Sequence, residues 1–262
     1  MNVQAPTPLQ APTSNATAGT IRIVTRNIRG LADNLPALLR CRSDVYLIQE
    51  VDFIEYQVNE FKALAMQAGY QLIFGEPTQL GADASAAHGR RTAIAVKTEY
   101  NIDTICSSTE EHIKTLSASG RWVERLIHFS NDCQVLVASY YCIPGASVKG
   151  AKHTDNERLL QLALTPIAVN GKVPYIFGTD LNDNPAHSET VVKAAETEII
   201  DDVVAAAFGN APPPTYCKGG IQEGMAGTGC TRIDTLLCRR DTPYRKSNTY
   251  ITTRTDSTTH LL

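Results

Sequence analysis

At 262 residues, 43% hydrophobic and 19% charged, the chain is long enough to bury a large core, yet nowhere does it offer the ~18 unbroken apolar residues of a membrane span. Its formal charge of -3 excludes a uniformly basic nucleic-acid binder, so contact with a polyanion must come from local patches or a metal ion. The seven cysteines are odd in number and scattered without a Cys-x-x-Cys pair, which fits a reducing compartment, argues against a zinc site and leaves a Cys217 to Cys230 bridge open.

Residues 1–19 hold Pro, Thr, Ala, Gln and Asn without a charge and read as a flexible leader, lacking the basic start and apolar run of a signal peptide. Residues 20–262 read as one domain. Alternating β-branched residues predict a first strand over 21–25, which delivers Arg26, Asn27, Ile28, Arg29 and Gly30 at its end. Asn34 and Pro36 then open a short helix over 35–41. Val45, Tyr46, Leu47 and Ile48 form a buried strand ending on Gln49 and Glu50. Apolar residues at Ile54, Val58, Phe61 and Ala65 mark one face of a helix that Gly69 closes. Strands follow at 70–74 and 92–97 around a small-residue loop. The whole of 102–141 reads as strand, with a hairpin turning at Asn131 and Asp132.

Thr154 with Glu157 is a capping-box signature for a helix running through Leu160 and Leu164 to a stop at Gly171. The apolar run 173–177 then feeds Gly178, Thr179, Asp180, Leu181 and Asn182. If extended backbone persists, Asp180 and Asn182 project to one side, Gly178 permits a close approach from above, and Asn184-Pro185 ends the element. An Asp/Asn turn bonded to its own backbone is the plainer account of the same residues. A helix near 188–196, an apolar segment at 199–208, a break at 212–214 and strands at 232–237 and 249–253 complete the pattern. Strands alternating with helices, twice over, around a β-rich middle predict an α/β fold in which two mixed sheets pack face to face between helices, a four-layer α-β-β-α sandwich.

Polar residues recur at the ends of apolar strands: Asn27, Glu50, Asp180 and Asn182, then Asp234 within its own strand, and His260 after a polar one. Such groups are costly to bury unless paired or liganded, so their recurrence points to a shared cleft. The plainer account of Asp234 is an ion pair with Arg232 or Arg239. In order and spacing the set resembles the endonuclease/exonuclease/phosphatase superfamily of DNase I-like, metal-dependent phosphodiesterases. The matching pieces are Thr25-Arg26-Asn27-Ile28-Arg29-Gly30-Leu31, Leu47-Ile48-Gln49-Glu50, Gly178-Thr179-Asp180-Leu181-Asn182, Arg232-Ile233-Asp234 and His260. Within it, the Asn27 to Leu31 run and Pro214-Thr215-Tyr216 are most similar to the endonuclease domains of LINE-type non-LTR retrotransposons.

The resemblance implies a Mg²⁺ or Mn²⁺ enzyme that nicks one DNA strand and leaves a 3′-hydroxyl, working in the nucleus as part of a polyprotein with a reverse transcriptase. It assigns Glu50 and Asn27 to the metal, Asp180 to the attacking water and Asn182 to a phosphate oxygen. It also assigns His260, held by Asp234, to charge neutralisation, and Tyr141 to the phosphate side. Arg90 and Arg91 in a loop, and Arg239 and Arg240 after the Asp234 strand, are candidate contacts to the DNA backbone. An abasic-site repair enzyme, a phosphatase of lipid or inositol head groups, and a binding domain without turnover are the alternatives. Three departures bear on them: Thr259 stands where an acidic residue is usual, Tyr141 and Pro144 are one residue further apart than in the family, and Arg26 and Arg29 add charge beside the metal.

Overall fold

The apolar alternations become strands and the 3.6-residue patterns become helices in the computed structural model, which describes residues 21–52, 55–77, 91–104, 110–130, 132–147, 149–169, 173–209, 216–217 and 230–242. In chain order these are β1 (Ile23–Asn27), α1 (Leu31–Arg40), β2 (Val45–Gln49), α2 (Val58–Gln67), β3 (Tyr70–Phe74), β4 (Thr92–Lys97), β5 (Asn101–Asp103) and α3 (Glu110–Ala118). They continue with β6 (Trp122–Ser130), β7 (Cys133–Tyr141), α4 (Ala151–Val169), β8 (Tyr175–Asp180), α5 (Glu189–Glu196), β9 (Ile200–Asp202), α6 (Val203–Phe208), β10 (Tyr216–Cys217), β11 (Cys230–Thr231) and β12 (Asp234–Arg239).

Both large sheets are mixed. The first runs β1-β2-β4-β3 with β1 parallel to β2; the second runs β5-β6-β7-β8-β12-β9 with β7 parallel to β8. A small antiparallel pair sets the backbone of Cys217 opposite Cys230. Side-chain parity along the strands then divides the core. Tyr46 and Ile48 of β2 pack with Leu35 and Leu38 of α1 and Phe61 of α2. Tyr175 and Phe177 of β8 pack with Leu160, Ala163 and Leu164 of α4. The opposite faces meet each other: Val45, Leu47, Ile94 and Val96 close against Val123, Ile127, Val135 and Val137, with Ile176 and Leu236 at the margin. The layers are therefore helix, sheet, sheet, helix, held by apolar burial worth about 1.5–3 kcal/mol for each large side chain.

Several local expectations give way to longer-range contacts. The stretch before β6 is not all strand: α3 forms where Glu, Lys and Leu favour helix, and its Leu116 is buried in the second sheet's core. Helix α1 begins at Leu31, so Pro36 lies inside it, and Asn34 holds the turn instead of opening the helix, donating to the carbonyls of Ile28 and Gly30 at 2.8 and 3.0 Å. Helix α4 begins before Thr154, and Glu157 caps a different helix, accepting from the Thr190 N–H of α5 at 2.8 Å. Gly69 does close α2, at φ 84°, and Ser188 caps α5 through the N–H of Val191. No helix among the described residues is long and apolar enough to cross a membrane.

Candidate active site at the end of the inter-sheet seam

The parity that fills the seam also builds the site. Ile23, Thr25 and Asn27 share one face of β1, and Val45, Leu47 and Gln49 share one face of β2. In the second sheet, Val137, Ser139 and Tyr141 of β7, Ile176, Gly178 and Asp180 of β8, and Asp234 and Leu236 of β12 face the same seam. Each strand is apolar in its middle and polar at this one end, so the seam turns from hydrocarbon to hydrogen-bonding groups over a few residues.

The first polar layer lies beneath the rim. Gln49, fully buried, reaches across from the first sheet to the Ser139 hydroxyl at 3.0 Å and the Gly178 carbonyl at 3.3 Å, and it also donates to Thr25 Oγ1 at 3.2 Å. Ser139 donates back to the Ile48 carbonyl at 2.9 Å. The sequence alone does not place this cross-sheet network; its one local signal is the alternation Val45, Leu47, Gln49, which turns an amide into the seam.

Above it, Asn27 donates to Asp180 Oδ2 at 2.6 Å, and Tyr141 donates its hydroxyl to Glu50 Oε1 at 2.7 Å. Asp180 pairs in register with Asp234 across β8 and β12. Extended backbone does not persist beyond Asp180: Asn182 lies at φ 52°, its N–H bonds Asp180 Oδ1 at 2.8 Å, and its Nδ2 donates to the Cys142 carbonyl at 3.0 Å. The turn thus closes on its own backbone and still presents the amide beside the carboxylate. Arg29 and Glu50 also occupy the left-handed region, at φ 48° and 52°. Three left-handed, non-glycine residues around one rim are local strain of the kind that a surrounding structure tolerates to aim particular side chains.

Burial, with Asp234 and then Glu50 as like charges, raises the Asp180 carboxyl to about 8, against the lowering effect of the Asn182 and Asn27 hydrogen bonds. Burial followed by the Glu50 hydrogen bond raises the Tyr141 hydroxyl, so it stays a donor at neutral pH. Glu50 and Asn27 are oxygen donors beside an excess of negative charge, a combination that fits a hard divalent cation. Among the described residues no group of three His, Cys, Asp or Glu side chains could hold a metal, so waters would complete the shell, as magnesium favours.

Asn27, Glu50, Tyr141, Asp180, Asn182 and Asp234 are therefore brought together. Arg91 lies beside them, ion-paired to Asp52, its carbonyl accepting from the Val51 N–H at 3.4 Å. Arg239 and Arg240 are not brought to the site. They lie at the far end of β12, about 17 Å away at ~3.3 Å per residue, and pair with Asp241, and with Glu198 and Asp201, respectively. Arg232 is held by Asp202, at 2.9 and 2.6 Å. His260, Thr259 and Arg90 lie outside the described residues.

No family model and no curated protein matches the sequence. Solved structures do. The 3′ phosphatase NExo from Neisseria, bound to a product DNA hairpin, superposes with a TM-score of 0.60 at 12% identity over 84% of this chain and 87% of that one. An AP endonuclease from Archaeoglobus fulgidus gives 0.58 at 14%, over 84% and 87%. The endonuclease domain of TRAS1, a telomere-specific non-LTR retrotransposon, gives 0.52 at 16%, over 85% and 86%. At such identities the likeness is one of architecture: the chain shares the DNase I-like fold of these enzymes.

Proposed function

We propose that this chain is a Mg²⁺- or Mn²⁺-dependent DNA endonuclease that cuts one strand by hydrolysis to leave a 3′-hydroxyl, and that it serves a non-LTR retrotransposon by exposing the end that primes reverse transcription. The observation that carries this reading is the convergence of Asp180, Asn182, Glu50 with its tyrosine, Asn27 and Asp234 at one end of the seam. Glu50 and Asn27 would hold the cation, which supplies positive charge to the phosphate oxygens.

Asp180 orients a water against phosphorus and takes its proton; a carboxyl raised to about 8 is a competent base near neutral pH. The water oxygen bonds to phosphorus, the bond from phosphorus to the 3′ oxygen breaks, and that oxygen leaves with a proton from solvent. Asn182 keeps one Nδ2 hydrogen on the Cys142 carbonyl and offers the other to a phosphate oxygen. Tyr141 fixes the Glu50 carboxylate, and His260, with Asp234, opposes the phosphate charge.

Incubation of supercoiled plasmid with the protein and Mg²⁺ tests the proposal. Nicked circles that a DNA polymerase extends without prior treatment support it. Phosphate released from lipid or inositol head groups without nicking would instead mark a phosphatase.

A further inference from the structure

Arg121, immediately before β6, has no part in the mechanism above, yet its contacts lead into the site from two sides. Its Nη1 donates to the carbonyls of Tyr141 and Cys142 at 3.3 and 3.1 Å, and its guanidinium carbon lies 5.1 Å from the centroid of the Tyr141 ring. The Arg121 carbonyl also accepts the Tyr141 N–H at 3.0 Å. The side chain of Tyr141 continues to Glu50 at 2.7 Å, and the Cys142 carbonyl receives Asn182 Nδ2 at 3.0 Å. One cation therefore grips the short segment from which both a candidate metal carboxylate and a candidate phosphate-binding amide are held.

We propose that Arg121 is a positioning residue: by clamping the ring of Tyr141 and the carbonyls of residues 141 and 142, it sets Glu50 and Asn182 at once. A planar guanidinium can bond carbonyls in its own plane and stack on a ring with its face, which an ammonium cannot do in one geometry. The kinetic part of the inference rests on the nuclease reading; the part concerning metal binding does not.

The test uses the whole protein as Arg121→Met, Arg121→Lys, Tyr141→Phe and the Met/Phe double variant. Mn²⁺ alone is titrated against each by electron paramagnetic resonance, and plasmid nicking is measured in parallel. Loss of an outer partner of a metal ligand commonly costs 10- to 100-fold. We therefore expect Arg121→Met to weaken Mn²⁺ binding by about tenfold and to lower kcat within that range, with KM for DNA little moved and Arg121→Lys recovering part of both. In the Tyr141→Phe background, which keeps the ring and loses the bond to Glu50, Arg121→Met should weaken Mn²⁺ binding by a smaller factor than in wild type.

Unchanged Mn²⁺ affinity and kcat would overturn the proposal, as would independent effects in the double variant. So would a raised KM at constant kcat with a salt dependence shallower by about one, which marks a direct phosphate contact. If Arg121→Met fails to fold, Arg121→Lys decides by the same readouts. Wild type that binds Mn²⁺ without cutting DNA defeats the nuclease reading and leaves the metal arm to decide the role of Arg121; wild type that binds no Mn²⁺ defeats both.

Discussion

Gly178 is the point at which sheet packing and chemistry can be separated experimentally. A Cβ built there would stand 2.6 Å from Thr25 Oγ1 and 2.8 Å from both Thr25 Cβ and Leu47 Cδ1, closer than real Cβ contacts come. Leu47 is fully buried, and turning Thr25 away would break its 3.2 Å contact with Gln49, so neither neighbour can yield freely. Gly178→Ala must then spread β8 from β1 and β2 or force strained side chains, an overpacking cost of about 1–3 kcal/mol. For a chain of this size each kcal/mol lowers the melting temperature by about 2–4 °C, so a loss of about 2–12 °C is expected. The same spreading pulls on the 2.6 Å Asn27–Asp180 bond. A misplacement near 1 Å can cost about a hundredfold, so nicking should fall ten- to a hundredfold at a temperature where the variant remains folded. Thermal unfolding by circular dichroism and plasmid nicking at 25 °C measure the two effects. Gly69→Ala is the control: its φ of 84° strains any side chain, yet nothing lies within 4 Å and the site is remote, so stability should fall with nicking retained. A Gly178→Ala protein as stable and as active as wild type would refute the close-approach argument.

Three other outcomes follow from the same structure. In EDTA, a buried Asp180 raised to about 8 favours the folded state only while protonated; its contribution is complete below the usual carboxylate range near 4 and is lost as pH rises through about 8. Melting curves should therefore show stability declining across that window, a decline that Asp180→Asn flattens while it abolishes nicking. Tyr141→Phe keeps the ring and removes the hydrogen bond to Glu50, so the Mg²⁺ needed for half-maximal nicking should rise by about tenfold or more, with a stability change near 1 kcal/mol. Asp202→Ala leaves the buried Arg232 without the carboxylate that holds it at 2.6 and 2.9 Å, and urea unfolding should register a loss of about 3–5 kcal/mol.

Much of the site was legible because strand parity is local. Asn27, Glu50, Asp180 and Asp234 each lie at the end of or within an apolar or β-branched strand, and the run predicts which end turns polar. What escaped depended on contacts between distant segments. Gln49 stands beside Glu50 at a strand end, and only the facing sheet shows that its amide bonds Ser139, 90 residues later. Glu157 has capping-box spacing, yet it serves a helix 33 residues on because α4 starts earlier than its local signal. The position of Asn182 depended on one backbone torsion that alternation cannot supply, φ 52°. Arg239 and Arg240 follow Asp234 closely in sequence, but an antiparallel strand carries them away from the site at about 3.3 Å per residue.

The proposed function requires the polar end of the seam to be a metal-dependent nuclease centre. Relaxation of supercoiled plasmid by wild type, Asp180→Ala and Glu50→Ala, each with Mg²⁺ and with EDTA, tests it most directly. Such a centre gives nicking by wild type with Mg²⁺ alone, and none by either variant or in EDTA; a folded wild type that leaves the plasmid supercoiled, or variants that nick as well as wild type, would rule it out.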